Sequence, residues 1–382
     1  MSSPNPPLRV AVTGTHGYGR AHLASASQLE ADGLVRLVAV ADPVPPDPGT
    51  VPDHTRVFDR LPDLLAEVDV DVVTIATPIH THLPLAAAAL RAGADVLLEK
   101  PPVPSMAAFA ELTAAVADAG RSCQIGFQSL GSAVLDRIAA LIAEGRVGAV
   151  RSIGASGTWL RRASYWGRSG WAGKRILDGV DVTDGVVTNP LAHGVATALA
   201  IAGARGVDDV TQVEVELFHA NDIEADDTST VRLHTSAGLP VTAAFTLCAA
   251  QQTEPAVTVY GTKGRLVFYY TSDVLEVWTD GAAIPQRYES GRTDLLRNLV
   301  EHRLDGGVGL LVPLADTGSF MRVVEAVRTA TVRAIDAEFV DWRDDGPDRH
   351  PVVAEVERWV ASADEQAGLF SQVGAPWATS AG

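Results

Sequence analysis

Three glycines, two histidines and an arginine crowd the stretch VAVTGTHGYGRAH, Val10–His22. Gly14, Gly17 and Gly19 are spaced G-x-x-G-x-G. Glycines in such a turn let the backbone bend sharply and approach a pyrophosphate, while the following helix offers its N-terminal amides. A chain with 34 glycines produces three-glycine spacings readily by chance, so the surroundings decide. The apolar run Leu8–Thr13 precedes the turn and a helical stretch of about 19–31 follows it. A second apolar run ends at Asp42, where a carboxylate at a strand's C-terminal end can accept both ribose hydroxyls. The pattern predicts a dinucleotide turn of Gly14, Thr15, His16, Gly17, Tyr18 and Gly19, with Asp42 on the ribose. Asp42 would repel a 2′-phosphate, and Pro43 follows where a cation could have compensated. The expected cofactor is therefore NAD, with NADP disfavoured; Arg20 and Arg56 are the residues best placed to oppose that choice.

Proton-transfer chemistry points to two other places. Lys100 follows the apolar run 94–98, at the end of the strand where parallel sheets bind ligands. At 100° per residue, Leu191, Val195, Ala198 and Ala202 form one helical stripe, and His193 lies opposite it with Asn189 on its side. Lysine and histidine both move protons when their pKa values are tuned. Asn189 has two readings. Followed by Pro190 it is a good N-cap with proline at the first helical position; alternatively its amide touches substrate. His80 and His82 merely alternate, and no cluster has ligand spacing, so no metal site is expected.

The elements needed to position these residues follow from periodicity. In the first third, short apolar runs (8–13, 34–41, 70–76, 94–98, 122–125) alternate with helical stretches, which implies βαβ units and a doubly wound parallel sheet. Beyond about 127 the strands are joined by short turns such as Ser-Ala-Gly and Thr-Lys-Gly, as in a mostly antiparallel sheet. The fold class expected is α/β plus α+β: a Rossmann domain over 1–126, then an α+β domain over 127–382 with a large open sheet that binds substrate and mediates oligomerisation.

Further along, ATPIHTH (76–82) closes the third buried run and LLEKPP (97–102) the fourth. Glu99-Lys100-Pro101 after Thr77-Pro78-x-x-x-His82, with Gly126-Phe127 opening the second domain, resembles the Gfo/Idh/MocA oxidoreductases. Gly14, Gly19 and His22 fall where that family has its outer glycines and following histidine, whereas His16 stands at the middle glycine. The resemblance implies that Thr77, Pro78, His82, Glu99 and Lys100 join the cofactor site. It also implies that Lys100, Asn189 and His193 flank the reacting carbinol, and that Gln128 contacts substrate. Asn189 departs from the family's usual aspartate, and a neutral amide cannot take a proton. The implied activity is NAD-dependent hydride transfer at a secondary alcohol of a sugar, cyclitol or related polyol. A redox-neutral NAD-dependent glycosidase and a non-catalytic nucleotide sensor are the alternatives; the presence of Lys100 and His193 speaks against the sensor.

The segment WLRRASYWGRSGWAGKR, Trp159–Arg175, carries three of the seven tryptophans and five basic residues with no acid. Lacking any period, it reads as a loop. Tyr165, Trp166 and Trp171 are expected to wall the substrate, with the basic residues suiting a negatively charged one. Packing against a partner subunit is the competing reading. The net charge of −17 argues against nucleic acid. No apolar run reaches the roughly 18 residues of a membrane helix. Two isolated cysteines and a start without a secretion signal suit a reducing cytoplasm. An antiparallel sheet with one face left open must be solvated or paired there, and the resemblance to a family whose members commonly pair on that face implies a homodimer or homotetramer.

Overall fold

The computed structural model describes residues 6–379. Two compact units divide the chain: 1–131 with 293–314, and 132–292 with 315–382. Elements are numbered in chain order.

The first unit is built from β1 (Leu8–Thr13), α1 (Gly19–Ala31), β2 (Val35–Ala41), β3 (Arg56–Phe58), α2 (Leu61–Glu67), β4 (Val72–Ile75), α3 (His82–Arg91), β5 (Asp95–Leu98), α4 (Met106–Ala119) and β6 (Cys123–Ile125). The six strands form one parallel sheet in the order β3-β2-β1-β4-β5-β6. Val10, Val12, Leu37, Val40, Val72, Ile75, Val96 and Leu98 are buried, as continuous apolar runs covered on both faces require. The strand order reverses between β1 and β4, so the turns after these two strands flank the point where such sheets take ligands. Edge strand β3, with its exposed Arg56 and Val57, escapes sequence reading because three residues at an edge carry no buried run.

The expected boundary at 126 needs a correction. Residues 293–314 lie within the range expected for the second domain, yet they return to the first unit. β6 is an edge strand, and its buried Gln124 needs partners. Its amide donates to the Leu295 carbonyl at 2.6 Å and accepts from the Val312 amide at 3.1 Å. Arg303 adds an ion pair with the buried Asp95 at 3.0 Å. The returning segment thus covers an edge that would otherwise template pairing.

The second unit holds α5 (Val134–Ala143), β7 (Val150–Thr158), the short pair β8 (Ile176–Leu177) and β9 (Val180–Asp181), α6 (Ala192–Ile201), β10 (Val210–His219), β11 (Thr228–Thr235), β12 (Pro240–Thr246), β13 (Ala256–Gly261), β14 (Gly264–Tyr269), β15 (Val274–Thr279) and β16 (Gln286–Glu289). After α7 (Leu295–Leu304), which belongs to the first unit, come α8 (Gly318–Thr329), β17 (Val332–Ala334), the hairpin β18 (Val340–Asp345) with β19 (Asp348–Val353), α9 (Val356–Gln366) and α10 (Pro376–Thr379). Nine strands form a sheet in the order β16-β15-β14-β13-β7-β12-β11-β10-β17. It is antiparallel except at β7–β12 and β10–β17. Helix α8 stops at Thr329 and gives way to the edge strand β17. Helix α9 starts only at Val356, because Pro351–Val353 pair in the hairpin.

Period-two alternation sorts the sheet into two faces. One carries Ile153, Ala155, Val241, Ala243, Phe245, Val257 and Val259, all buried. The other carries Gly154, Ser156, Thr230, Thr242, Ala244 and Tyr260. This second face was expected to be left for a partner subunit, and its centre is instead covered by the chain itself. Asp364 of α9 accepts from Ser156 Oγ at 3.1 Å and Tyr260 Oη at 2.9 Å. A Cβ at Gly154 would lie 1.7 Å from Asp364 Oδ1. Phe370, Trp377 and Val360 complete a core with Phe218 and Ala244. Burial pushes the Asp364 carboxyl up to about 7.

Candidate active site

In the first unit the glycine turn is shaped by close backbone approach. Gly14 has φ +81°, and a Cβ there would sit 2.4 Å from the Ala76 carbonyl; one at Gly19 would sit 1.9 Å from the Gly14 carbonyl. Only glycine fits both positions, so the β1 and β4 turns close against each other. At the start of α1 no side chain caps the helix and no acid lies in its first turn, which leaves the site fitted to an anion. Tyr18 is exposed there, edge-on to the buried His22 at 5.4 Å. These features fit a dinucleotide's pyrophosphate.

Asp42 closes the turn. Its Oδ2 accepts from the Thr15 amide at 2.7 Å and lies 3.2 Å from His16 Nδ1, while Oδ1 accepts from the Val44 amide at 2.9 Å. Burial pushes this carboxyl up, but the Thr15 and Val44 amides and the His16 ring outweigh it and hold it below the usual range. His16, standing where the family pattern has a glycine, thus braces Asp42. The two arginines that could have favoured a 2′-phosphate are engaged elsewhere. Arg20 pairs with Asp47 at 2.7 Å, and Arg56 pairs with Glu67.

Beneath Lys100 lies a buried polar frame. Glu99 Oε1 accepts from His22 Nε2 at 2.9 Å and from the Gln128 amide at 2.9 Å, and Oε2 accepts from the Lys100 backbone at 3.3 Å. Buried Glu99 therefore supports the lysine's backbone from below, and Gln128, expected on substrate, spends its amide on Glu99. His22 is buried in the first turn of α1. His82 is buried with Nε2 2.8 Å from the Thr77 carbonyl and Nδ1 2.9 Å from that of Pro101. Burial pulls its pKa down against the carbonyls of Thr77, Pro101 and Pro102, which pull it up, and the ring stitches the loop after β4 to the loop after β5. Thr77 Oγ1 meets Thr81 Oγ1 at 2.7 Å, and exposed Pro78 offers its carbonyl to Thr81. Lys100 itself is half-buried.

In the second unit, His193 sits in the first turn of α6. The expected apolar stripe does not describe this helix. Ala192, Gly194, Val195, Ala196, Thr197, Ala198 and Leu199 are all buried, so it is covered on nearly every side, with His193 half-buried. The capping reading of Asn189 is also corrected. The helix starts at Ala192 with Leu191 at its N-cap, and the Asn189 Nδ2 group donates to Asp184 Oδ1 at 2.6 Å.

Asp184 is the residue that sequence reading passed over. It is buried, and its Oδ2 accepts from Arg168 at 2.7 Å and from the Gly173 amide at 2.9 Å. The only signal was an acid between a basic segment and a run of small residues. Asp226 was missed likewise; it is held by Ser229 at 2.8 Å, and burial pushes it up to about 6. In the aromatic segment, Tyr165 stacks edge-on with Trp166 at 5.0 Å, and burial raises its hydroxyl pKa. The Arg168 guanidinium lies over the rings of Tyr165, at 3.9 Å, and half-buried Trp171, at 4.7 Å. The indole N–H of Trp166 is buried without a partner among the described residues. Most of the segment's positive charge serves structure. Arg162 pairs with Asp345 at 2.6 Å, Arg168 with Asp184, and Arg175 donates to the Val327, Arg328 and Ala330 carbonyls at the end of α8. That leaves less of the segment's positive charge to meet an anionic substrate. Among the described residues no group of three or more His, Cys, Asp or Glu side chains could hold a metal ion, and no helix is long and apolar enough to cross a membrane.

Two family models match the chain. Residues 8–127 match the oxidoreductase family with an NAD-binding Rossmann fold, and 135–267 match the GFO/IDH/MocA C-terminal domain, together about two thirds of the chain. The chain belongs to the Gfo/Idh/MocA oxidoreductases. Among curated relatives, inositol 2-dehydrogenase from Rubrobacter xylanophilus is 34% identical over 145 residues, which are 37% of this chain and 41% of that protein. The match therefore spans less than half of the relative's length. Among solved structures, the WlbA dehydrogenase from Bordetella pertussis in complex with NADH and UDP-GlcNAcA has a TM-score of 0.68 at 21% identity. It covers 84% of this chain and 95% of its own. The aldose-aldose oxidoreductase from Caulobacter crescentus complexed with glycerol gives 0.67 at 21% identity, over 84% and 96%. These likenesses establish the Gfo/Idh/MocA fold of both units.

Proposed function

We propose that the protein is an NAD-dependent dehydrogenase or reductase acting on a secondary alcohol or ketone of a sugar, cyclitol or related polyol. The observation that carries this reading is the strand-end lysine, Lys100, seated on the buried Glu99 frame of a unit that matches an NAD-binding family model. Bound NAD supplies a nicotinamide that exchanges hydride with the carbinol carbon. The glycine turn and Asp42 hold its pyrophosphate and ribose, with NAD preferred to NADP. The Lys100 ammonium polarises the substrate oxygen, and a ring nitrogen of His193 takes the hydroxyl proton. Asn189 orients that hydroxyl, and Tyr165, Trp166 and Trp171 offer aromatic faces to the C–H surface of a ring. The substrate class draws support from a relative named as an inositol dehydrogenase and from a fold neighbour whose crystals hold NADH and a UDP-sugar. The chain forms a homodimer or homotetramer that pairs through the outer strands of the large sheet, because α9 covers the centre.

The test is a panel of cyclitols, free sugars and UDP-sugars offered with NAD and with NADP. The expected result is NADH formation with one structural class of polyol. Hydrolysis of a glycoside with no net change in NADH absorbance would instead mark a redox-neutral glycosidase and overturn the dehydrogenase reading.

A further inference from the structure

We propose that Asp184 is a positioning residue that fixes which end of the Asn189 amide faces the substrate and, through Arg168, holds the aromatic segment in place. The proposal rests on the reading of Asn189 as a substrate contact given above. An ionised carboxylate has no proton to donate. Asn189 approaches Asp184 Oδ1 at 2.6 Å, so it must present its NH2 group to that oxygen. Its carbonyl oxygen is then directed the other way, and the residue offers an acceptor where an aspartate would also offer one. A flipped amide would set oxygen against oxygen. The negative charge that an aspartate would have brought to position 189 stands instead one hydrogen bond behind it.

The backbone keeps this pair in register. The Asn189 amide donates to the Gly185 carbonyl at 3.0 Å, and the Asp184 amide to that of Lys174 at 2.9 Å. On its other oxygen, Asp184 receives Arg168 and the Gly173 amide. Arg168 also donates to the Tyr165 carbonyl at 3.2 Å while lying over Tyr165 and Trp171. With its side chain only 2% exposed, Asp184 is screened little by water, so its interactions count for more than a surface pair's. A single buried carboxylate thus joins the two parts of this unit assigned to substrate. The charged neighbour facing it is Arg168, and the titratable Tyr165 hydroxyl also feels its charge.

The pair can be exchanged atom for atom. In Asp184→Asn/Asn189→Asp, the new amide can donate to residue 189 while its carbonyl accepts from Arg168 and Gly173. The full-length protein is assayed with NAD and myo-inositol as probe. Asp184→Asn should lower kcat/KM by about 10- to 100-fold without weakening NADH binding. Asn189→Asp places two carboxylates at hydrogen-bond distance, and they share one proton. Its activity should therefore fall as pH rises through the pair's raised pKa. The exchange should return activity to within about 5-fold of wild type and abolish that fall, a non-additive rescue that lost stability alone does not produce. A double variant no better than Asn189→Asp, or one that fails to fold, overturns the proposal. If the wild type does not oxidise myo-inositol, the inositol reading fails, and iodide quenching of tryptophan fluorescence decides for Asp184. Quenching should rise in Asp184→Asn and return to the wild-type level in the exchange; equal quenching in all three proteins overturns the proposal.

Discussion

The two units hold their candidate residues by different physical means. In the first, Gly14, Asp42, Thr77 and Lys100 follow the C-terminal ends of successive parallel strands, so backbone topology alone brings them to one edge of the sheet. In the second, Asn189 and the aromatic segment lie outside regular helix and long strand, and buried side chains such as Asp184 hold them. A site built from strand ends tolerates changes away from the backbone turns. One built from a polar network fails when a single buried partner is lost, because the remaining groups stay desolvated and unpaired.

The sharpest way to break the first half of this contrast is at the turn. Gly14→Ala forces an L side chain into φ +81° and against the Ala76 carbonyl. It should cost about 2 kcal/mol or more in stability and abolish NADH binding, as read by denaturant unfolding and a fluorescence titration. Binding at wild-type affinity would mean that the turn does not hold the cofactor.

A second prediction concerns the polar network under α9. The Asp364 carboxyl, at about 7 in the folded protein, has an unfolded value near 3.9. The folded state therefore holds the extra proton between these values. This group's contribution is fully present below the lower value and is lost as pH rises through 7, amounting to a few kcal/mol. Asp364→Asn should flatten that part of the stability profile and leave the protein more stable than wild type above neutral pH. An unchanged difference between the two proteins from pH 5 to pH 8, measured by urea unfolding, would contradict it.

The smallest effect is expected at Asp42. Asp42→Ser removes the charge that repels a 2′-phosphate and should narrow the preference for NAD over NADP by about 10-fold. Binding titrations with both reduced cofactors check this. A wild type that binds NADP as well as NAD would end the argument before any substitution.

How far the sequence could be read follows the same division. The strands 8–13 and 35–41, the glycine turn, Asp42 and the Glu-Lys-Pro strand end were legible because buried parallel strands leave continuous apolar runs with marked ends. The antiparallel core strands β10–β15 were legible from alternation and turns. The hairpin β18–β19 was not, because Asp341, Arg343 and Asp344 leave β18 without an apolar run and the buried Pro351–Val353 of β19 are too short a run to mark a strand. Nor could composition reveal that Arg162, Arg168 and Arg175 are held by Asp345, Asp184 and the end of α8, since those partners lie far along the chain or were not read as buried. Asn189 looked like a helix cap because Pro190 follows it; the chain instead spends that residue on Asp184 and starts the helix three residues later.

The central claim is that this chain oxidises a carbinol with NAD, using Lys100 and His193. Its most direct test is steady-state turnover of Lys100→Ala and His193→Ala on the polyol identified by the panel, with NADH affinity measured on the same preparations. The account predicts that each variant loses at least about 100-fold in kcat while binding NADH as the wild type does. Near-normal turnover in either variant would contradict it.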